Sequence, residues 1–390
     1  MAGLDRDGLV EFTQRLVRIP SVNQQGLGEA PVVDEVVALA ESWGWEPVVD
    51  YVAPGRPNCV IRLRGNRPGR TLLFEGHTDV VTAGDPETWS RDPFGGEIAD
   101  GRIHGRGSAD MKSGLAAMLF AVRAFELSGP FAGEIVLAIL CDEEEMMIGV
   151  HDFVDRGHAD GVDAAIVCEP EAGEICITQK GAIRLRVDLR GKMAHGAMPH
   201  EGRNPVTATA ALVTRLCEIE ASLQTEHGEH PTLGFPYVTP THLAAGSLPQ
   251  LNVIPSSALL TLDVRTLPGI DHPALVTRIS QEAAAVTEAT GVDVELTVLV
   301  DRPPTSVDVD EPIVRALAEA HAAITGQEPV YGGVPGTTDG TILWSDARIP
   351  VVVYGPGGKW VAHQSDEYVE IEDLLTHAAV YVEAARRFLG

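Results

Sequence analysis

Two hydrophobic rhythms run along the chain. In "LVEFTQRLVRI", Leu9, Phe12, Leu16 and Ile19 recur at helical spacing until "IPSVN" ends the run. "PVVDEVVALAESWGW" predicts a second helix, opened by Pro31 and closed near Gly44. "NCVIRLRG" and "TLLFEG" read as strands; a Gly/Asp/Pro-rich loop over residues 82–110 leads to the helix "KSGLAAMLFAVRAFEL". "EIVLAIL" and "AAIVCEP" follow as apolar strands. This alternation predicts an α/β layered domain whose mixed, mainly parallel sheet is flanked by helices.

From about residue 179 the texture changes. "AIRLRVDLRG" and "ALLTLDVRTL" alternate apolar and polar with period two, the mark of a sheet with one wet face. Helices are expected at "NPVTATAALVTRLCEIEASL" and over roughly 272–290, and "DVELTVLV" is again a strand. The chain then returns with "IVRALAEAHAAITG", "IPVVVYG" and a closing helix from "IEDLL" onward. Residues 179–293 are therefore expected to form an inserted α+β unit within a domain built from 1–178 and 294–390.

Composition narrows the reading. A net charge of −27, from 29 basic against 56 acidic side chains, repels nucleic acid and anionic membranes, and no basic block offsets it. No stretch reaches the ~20 apolar residues of a spanning helix; the nearest, "GLAAMLFAVRAFEL", is interrupted by Arg123. "MAGLDRDGLV" carries acidic residues where a signal peptide needs a basic and then an apolar run, so a cytoplasmic protein is expected. The five cysteines show no C-x-x-C spacing, and each is expected to be a small core residue.

The chemistry begins where an apolar strand ends badly. "TLLFEGHTDVV" places Glu75, His77 and Asp79 on alternate positions, hence on one face. Burying them unpaired would cost several kcal/mol, so water or a ligand must reach them. Further ionisable residues close other strands or sit in the loops after them: Asp110 in "GRGSADMKSG", Glu143 and Glu144 in "CDEEEMMIG", Glu169 in "VCEP" and His363 in "AHQSDE". Open α/β sheets collect their sites at the carboxyl ends of strands, so these residues are expected to converge. Mixed imidazole and carboxylate donors suit Zn²⁺ or a similar divalent ion, and a shared carboxylate can bridge two.

Together "EGHTDVV", "DGRIHGRGSADMKSG", "DEEE", "VCEP", "RGKMAHGAMPHEGRNPV", "NVIP", "DVR" and "GPGG…AHQSDE" resemble, in order and over nearly the whole chain, the motif series of the M20 metallopeptidases. That family includes acetylornithine deacetylase, succinyl-diaminopimelate desuccinylase, aminoacylase and glutamate carboxypeptidase. The resemblance implies a zinc-peptidase-like catalytic domain, and a ferredoxin-like lid through which two copies form a homodimer. It implies two divalent ions, Zn²⁺ first and Co²⁺ or Mn²⁺ next. His77 and Glu169 would hold one ion, His363 and Glu144 the other, with Asp110 bridging. Asp79 would orient His77, a contact that the His-x-Asp spacing suits. Glu143 would be the general base, and the Asp110–Met111 peptide would be cis. His195, in "RGKMAHG", would support the developing oxyanion from the partner's lid.

For substrate, the resemblance points to Asn252 and Arg265 as a carboxylate grip. "GGVPGTTDGT" offers backbone N–H groups at Gly336 and the hydroxyls of Thr337 and Thr338 as an anion-binding loop. Thr341 stands where relatives carry arginine, and Met146-Met147 where many carry glycines. The implied activity is hydrolysis of the amide of an N-acyl amino acid or small peptide by a metal-activated water. A dipeptidase or carboxypeptidase of the same family is the alternative, and a catalytically inactive binding or assembly relative is the reading from another class. A nucleotide-binding oxidoreductase is excluded, because "GRGSADMKSG" lacks the G-x-G-x-x-G fingerprint.

Overall fold

The computed structural model describes residues 3–23 and 28–390, and the chain divides into two compact units. Unit one comprises Met1–Ile177, Ser306–Val334 and Thr338–Gly390; unit two comprises Thr178–Thr305 with Pro335–Thr337. The return to the first unit, expected at 294, falls after Thr305 instead. Strand Asp293–Arg302 pairs along its length with Gly181–Arg190 and so belongs to the second sheet.

Unit one is organised by four central strands. Arg67–His77 lies between Ala132–Leu140 and Ala164–Val167, parallel to both, and Val351–Val353 continues the parallel set beyond Ala164–Val167. Antiparallel strands flank them: Arg56–Arg64 and Val48–Ala53 on one side, Ile175–Gln179 on the other. Both faces are covered. Cys59, Leu72, Phe74, Leu137 and Ile139 enter one core with helices Lys112–Leu127 and Ile371–Leu389. The alternate residues Val60, Leu73, Val136 and Ala138 enter a second core with Ile148–Asp155 and Gly340–Ser345. Burial on both faces is why these strands read as continuous apolar runs.

Unit two runs strand, helix, strand, strand, helix, strand. Gly181–Arg190 and Ser257–Thr266 lie at the centre, with Asp293–Arg302 and Tyr237–Ala245 at the edges, all antiparallel. Helices Pro205–His227 and His272–Thr290 supply Leu212, Leu216 and Ile279 to its core. This order is the ferredoxin-like arrangement.

Three further expectations change. The loop over 82–110 contains short strands Glu97–Ala99 and Arg102–His104, which join Tyr368–Glu370 in a three-stranded sheet. Strand Tyr237–Ala245 was not expected; it is an exposed edge that buries only Val238, so no period-two signal marks it. Cys217 is exposed, whereas Cys59, Cys141, Cys168 and Cys176 are core residues as expected; all five are free thiols.

Phe74 is fully buried and meets Tyr381 edge-on at 5.4 Å between ring centroids. Phe74→Ala should cost about 3–5 kcal/mol of stability, measured by urea unfolding with chelator present so that ion binding does not contribute.

Candidate metal centre

Each central parallel strand delivers a side chain from its carboxyl end. His77 is the last residue of Arg67–His77, and Glu143 and Glu144 follow Ala132–Leu140. Glu169 follows Ala164–Val167, and His363 lies in the loop after Val351–Val353. Asp110 comes from the turn before helix Lys112–Leu127, at a cis peptide with Met111.

These residues converge. His77 Nε2 lies 3.2 Å from Asp110 Oδ1 and 3.3 Å from Glu169 Oε1. His363 Nε2 lies 3.2 Å from Asp110 Oδ2 and 3.1 Å from Glu144. The two oxygens of Asp110 therefore face different histidines. Within each group, His77–Asp110–Glu169 and Asp110–Glu144–His363, the ligand atoms lie within 4.8 Å of one another. Two imidazoles and three carboxylates in this pattern fit two borderline-to-hard divalent cations sharing one carboxylate.

Surrounding groups fix the ligands. The His77 ring turns Nδ1 toward Asp79, 2.9 Å from its carbonyl and 3.4 Å from Oδ1. Asp79 Oδ1 accepts from the Glu143 N–H at 3.1 Å, and Oδ2 from the Glu144 N–H at 3.2 Å and from Asn23 at 2.8 Å. One buried carboxylate thus orients a histidine and the backbone of the acidic pair together. Arg56 pairs with Asp142 and donates to Asn23 Oδ1 at 2.7 Å. Glu367 plays a comparable part for Asp110: its Oε1 accepts from the Ala109 and Asp110 N–H groups at 2.9 and 3.0 Å, while Oε2 pairs with buried Arg106. Gly355 is obligatory, since a Cβ there would sit 2.2 Å from Cys168 O. Asp142, Met147 and His363 adopt positive φ of 65°, 58° and 63°, so backbone strain gathers at this site.

The electrostatics follow from crowding. Burial works to raise every carboxylate, but on Asp110 the two histidines outweigh it and hold the group well below its usual range. Glu143 is raised well above its ordinary value by burial, with Glu169 and Glu144 adding to the shift. Glu169 is pushed up to about 8 by burial and by Asp110. Hydrogen bonds to Asp110 and Glu144 lift His363 to about 10. Without a cation, the negative charge settles on Asp110 and protons are retained around it.

Other expected residues fall differently. His195 and Asn252 meet in unit two, where Ala194–His195 pairs with Val253–Ile254 and Gly196 N–H donates to Asn252 O at 2.7 Å. His195 Nδ1 accepts from Ala197 N–H at 3.0 Å, which leaves Nε2 to carry the proton. Arg265 is held by Asp263 at 2.5 and 3.1 Å. Thr337 accepts from Arg302 at 3.3 Å. The Thr338 hydroxyl accepts from Gly340 N–H, and Thr341, fully buried, donates its N–H and hydroxyl to Thr338 O. These bonds shape the turn into helix Gly340–Ser345. Met147 packs in the core and Met146 is half-exposed. Asn23, Arg56, Asp142, Arg106 and Glu367 were not foreseen as partners, although Arg106, Asp142 and Glu367 lie within the motifs "GRGSADMKSG", "DEEE" and "AHQSDE".

A mainly parallel sheet carrying imidazoles and carboxylates at its strand ends defines a metallohydrolase. The chain belongs to peptidase family M20/M25/M40, whose family model matches residues 73–387. It is similar to succinyl-diaminopimelate desuccinylase of Cereibacter sphaeroides, 35% identical over 390 residues covering 98% of this chain and 99% of that one. The desuccinylase of Methylobacterium radiotolerans is 33% identical, with 96% and 95% covered. In fold it resembles aminopeptidase PepT of Bacillus cereus (TM-score 0.82, 21% identity, 100% of both chains). It also resembles the Bacillus subtilis YXEP protein, described as a dinuclear metal binding peptidase of the M20 family (TM-score 0.74, 17% identity, 98% of both chains). The protein is an M20-family hydrolase acting on amides.

The shifted groups predict a pH signature. Glu169 and His363 hold protons more tightly folded than unfolded, so their contribution to the ion-free fold is complete below the ordinary values of 4.5 and 6.5. It is lost as pH rises through about 8 and about 10 respectively. Divalent ions compete with those protons, so ion binding should release protons and strengthen as pH rises. Thermal unfolding between pH 7 and about 10 should show the chelated protein losing stability and the ion-loaded protein resisting. His363→Ala should remove the upper part of the chelated slope.

Proposed function

We propose that the chain is a two-ion deacylase of N-acyl amino acids, with His77 and Glu169 holding one divalent ion, His363 and Glu144 the other, and Asp110 shared. The observation that carries this reading is the Asp110 carboxylate, with one oxygen 3.2 Å from each histidine. When bound, the ions polarise the amide carbonyl and acidify water. Zn²⁺ suits the donor set best, with Co²⁺ and Mn²⁺ as substitutes.

Glu143 is the general base. Its carboxyl, raised above its ordinary value by burial, binds a proton more firmly than an exposed glutamate, which suits carrying one from the attacking water to the leaving amine. Asp79 keeps His77 oriented. His195, contributed by the partner copy of a homodimer, donates from Nε2 to the developing oxyanion. Arg265 and Asn252 receive the substrate carboxylate, Arg265 sharing its guanidinium with Asp263. Gly336, Thr337 and Thr338 line the anion loop, where internal bonding at Thr338 and the absence of a loop arginine narrow its capacity for a second carboxylate. Five free cysteines suit a reducing, cytoplasmic setting.

The relatives' names place N-succinyl-diaminopimelate first among substrates to test, followed by N-acetyl and N-formyl amino acids and dipeptides. Hydrolysis of an N-acyl amino acid that chelator abolishes and Zn²⁺ or Co²⁺ restores is the expected result; turnover of dipeptides alone would move the assignment to a peptidase. Glu143→Gln should retain two ions by elemental analysis and lose about 10²–10⁴ in kcat; a fully active variant would refute the base assignment. Mixing inactive Glu143→Gln with inactive His195→Ala should restore about a quarter of wild-type activity if the histidine acts across the dimer, and none if it acts within one chain.

A further inference from the structure

An ion triad centred on buried Glu171, outside the chemistry above, ties the loop after Glu169 to the loop before His363. Lys359 directs its ammonium at Glu171 Oε2, 2.7 Å away, and at Glu174 Oε2, 2.9 Å away. Glu171 is 3% exposed. Its Oε2 also accepts from Cys176 Sγ at 3.2 Å, and that sulfur lies 4.0 Å from Lys359 Nζ. Glu171, Glu174 and Cys176 bring their ligand atoms within 4.8 Å, as the two groups around Asp110 do. Here the cation is supplied by the chain: the ammonium already stands among these donors. The neighbouring strand Tyr331–Val334 leaves room for it, because a Cβ on Gly332 would lie 2.2 Å from Glu174 Oε2 and 3.0 Å from Cys176 Sγ.

The placement gives the triad its meaning. Glu171 follows Glu169 by one intervening residue, and Lys359 stands in the segment leading to His363. A backbone tie, Ala172 N–H to Gly357 O at 3.0 Å, runs alongside. Glu169 is already fixed by its strand, with the Cys168 N–H donating to Glu75 O at 3.0 Å. His363 is not placed by a strand: it sits in a loop, at a φ of 63°, with 53% of its side chain exposed, and beyond it the loop is tied by Asp366 accepting from Ser90 N–H at 2.7 Å. A buried ion pair is weak evidence of stability, because desolvation offsets the attraction; what it supplies is a defined geometry.

We propose that Lys359, clamped by Glu171 and Glu174, is a positioning residue that sets the His363 loop against the Glu169 loop and thereby the affinity of the ion held by His363, Glu144 and Asp110. The inference rests on the two-ion reading of the site.

Calorimetric titration of Zn²⁺ into chelator-stripped protein tests it. Wild type should bind two ions, and His363→Ala marks which binding step belongs to the second. Lys359→Met should weaken that step by about tenfold, leave the other within about twofold, and lower the ion-free melting temperature because buried Glu171 loses its cation. Lys359→Arg, which can also span two carboxylates, should recover most of the loss. Wild-type affinity for the second ion in Lys359→Met, or equal weakening of both steps, would overturn the proposal. Should Lys359→Met not fold, Glu174→Gln decides: a weaker second step supports the clamp and an unchanged one overturns it. Wild-type protein that binds no ion fails before any variant is compared, which separates failure of the two-ion reading from failure of the clamp.

Discussion

Gathering like charge where little water reaches is the constraint on which this structure turns. Glu75, Asp79, Asp142, Glu143, Glu169, Glu171 and Glu367 are all buried, most of them in or around a single site. Left alone they would repel one another and draw protons. The fold answers in layers. Outer carboxylates receive fixed cations or N–H groups: Arg56 for Asp142, Arg106 for Glu367, Lys359 for Glu171 and backbone amides for Asp79. Inner carboxylates are turned toward two imidazoles, and their remaining lone pairs face a place where cations fit. Removing an outer cation therefore leaves an uncompensated buried charge, a larger loss than the pair's net contribution.

Sheet topology makes this crowding possible. Four neighbouring parallel strands end on the same edge, so ligands distant in sequence arrive side by side with little loop between strand and ligand. His77, Glu144 and Glu169 are placed by strand ends or the residues just beyond them. Asp110 comes from the turn before a helix, and His363 depends on a longer loop, which is held on one side by Lys359 and on the other by Asp366, whose Oδ1 accepts from Ser90 N–H at 2.7 Å. Strained backbone at Asp142, Met147 and His363 shows where local preference yields to this placement.

The inner site was legible in sequence because the signal is local: a polar residue closing an apolar strand contradicts its surroundings. His77, Glu169 and the acidic pair all announce themselves that way. The central strands and the helices Lys112–Leu127 and His272–Thr290 were equally plain, since each buries a continuous run or a regular face. The supporting network was not legible. Asn23 and Arg56 lie outside every motif, and their roles depend on partners remote in sequence. Edge strands such as Tyr237–Ala245 escaped for the opposite reason: with nearly all side chains exposed, nothing in their pattern is constrained. At the loop with Thr338, sequence displayed the hydroxyls but not the bonds that Thr338 and Thr341 make within the turn.

The strand Val351–Val353 has a consequence for how the protein is made. It occupies the slot between Ala164–Val167 and Ile175–Gln179, in the middle of the first unit's sheet. A ribosome delivers both walls of that slot early, and the strand that fills it only after the whole second unit has emerged. Throughout that interval the growing chain carries two facing strands with unsatisfied backbone groups, the kind of edge that recruits other chains. The last ligand, His363, is synthesised later still. Completion of the sheet and completion of the metal centre are thus nearly one event, which must wait until the second unit has been made.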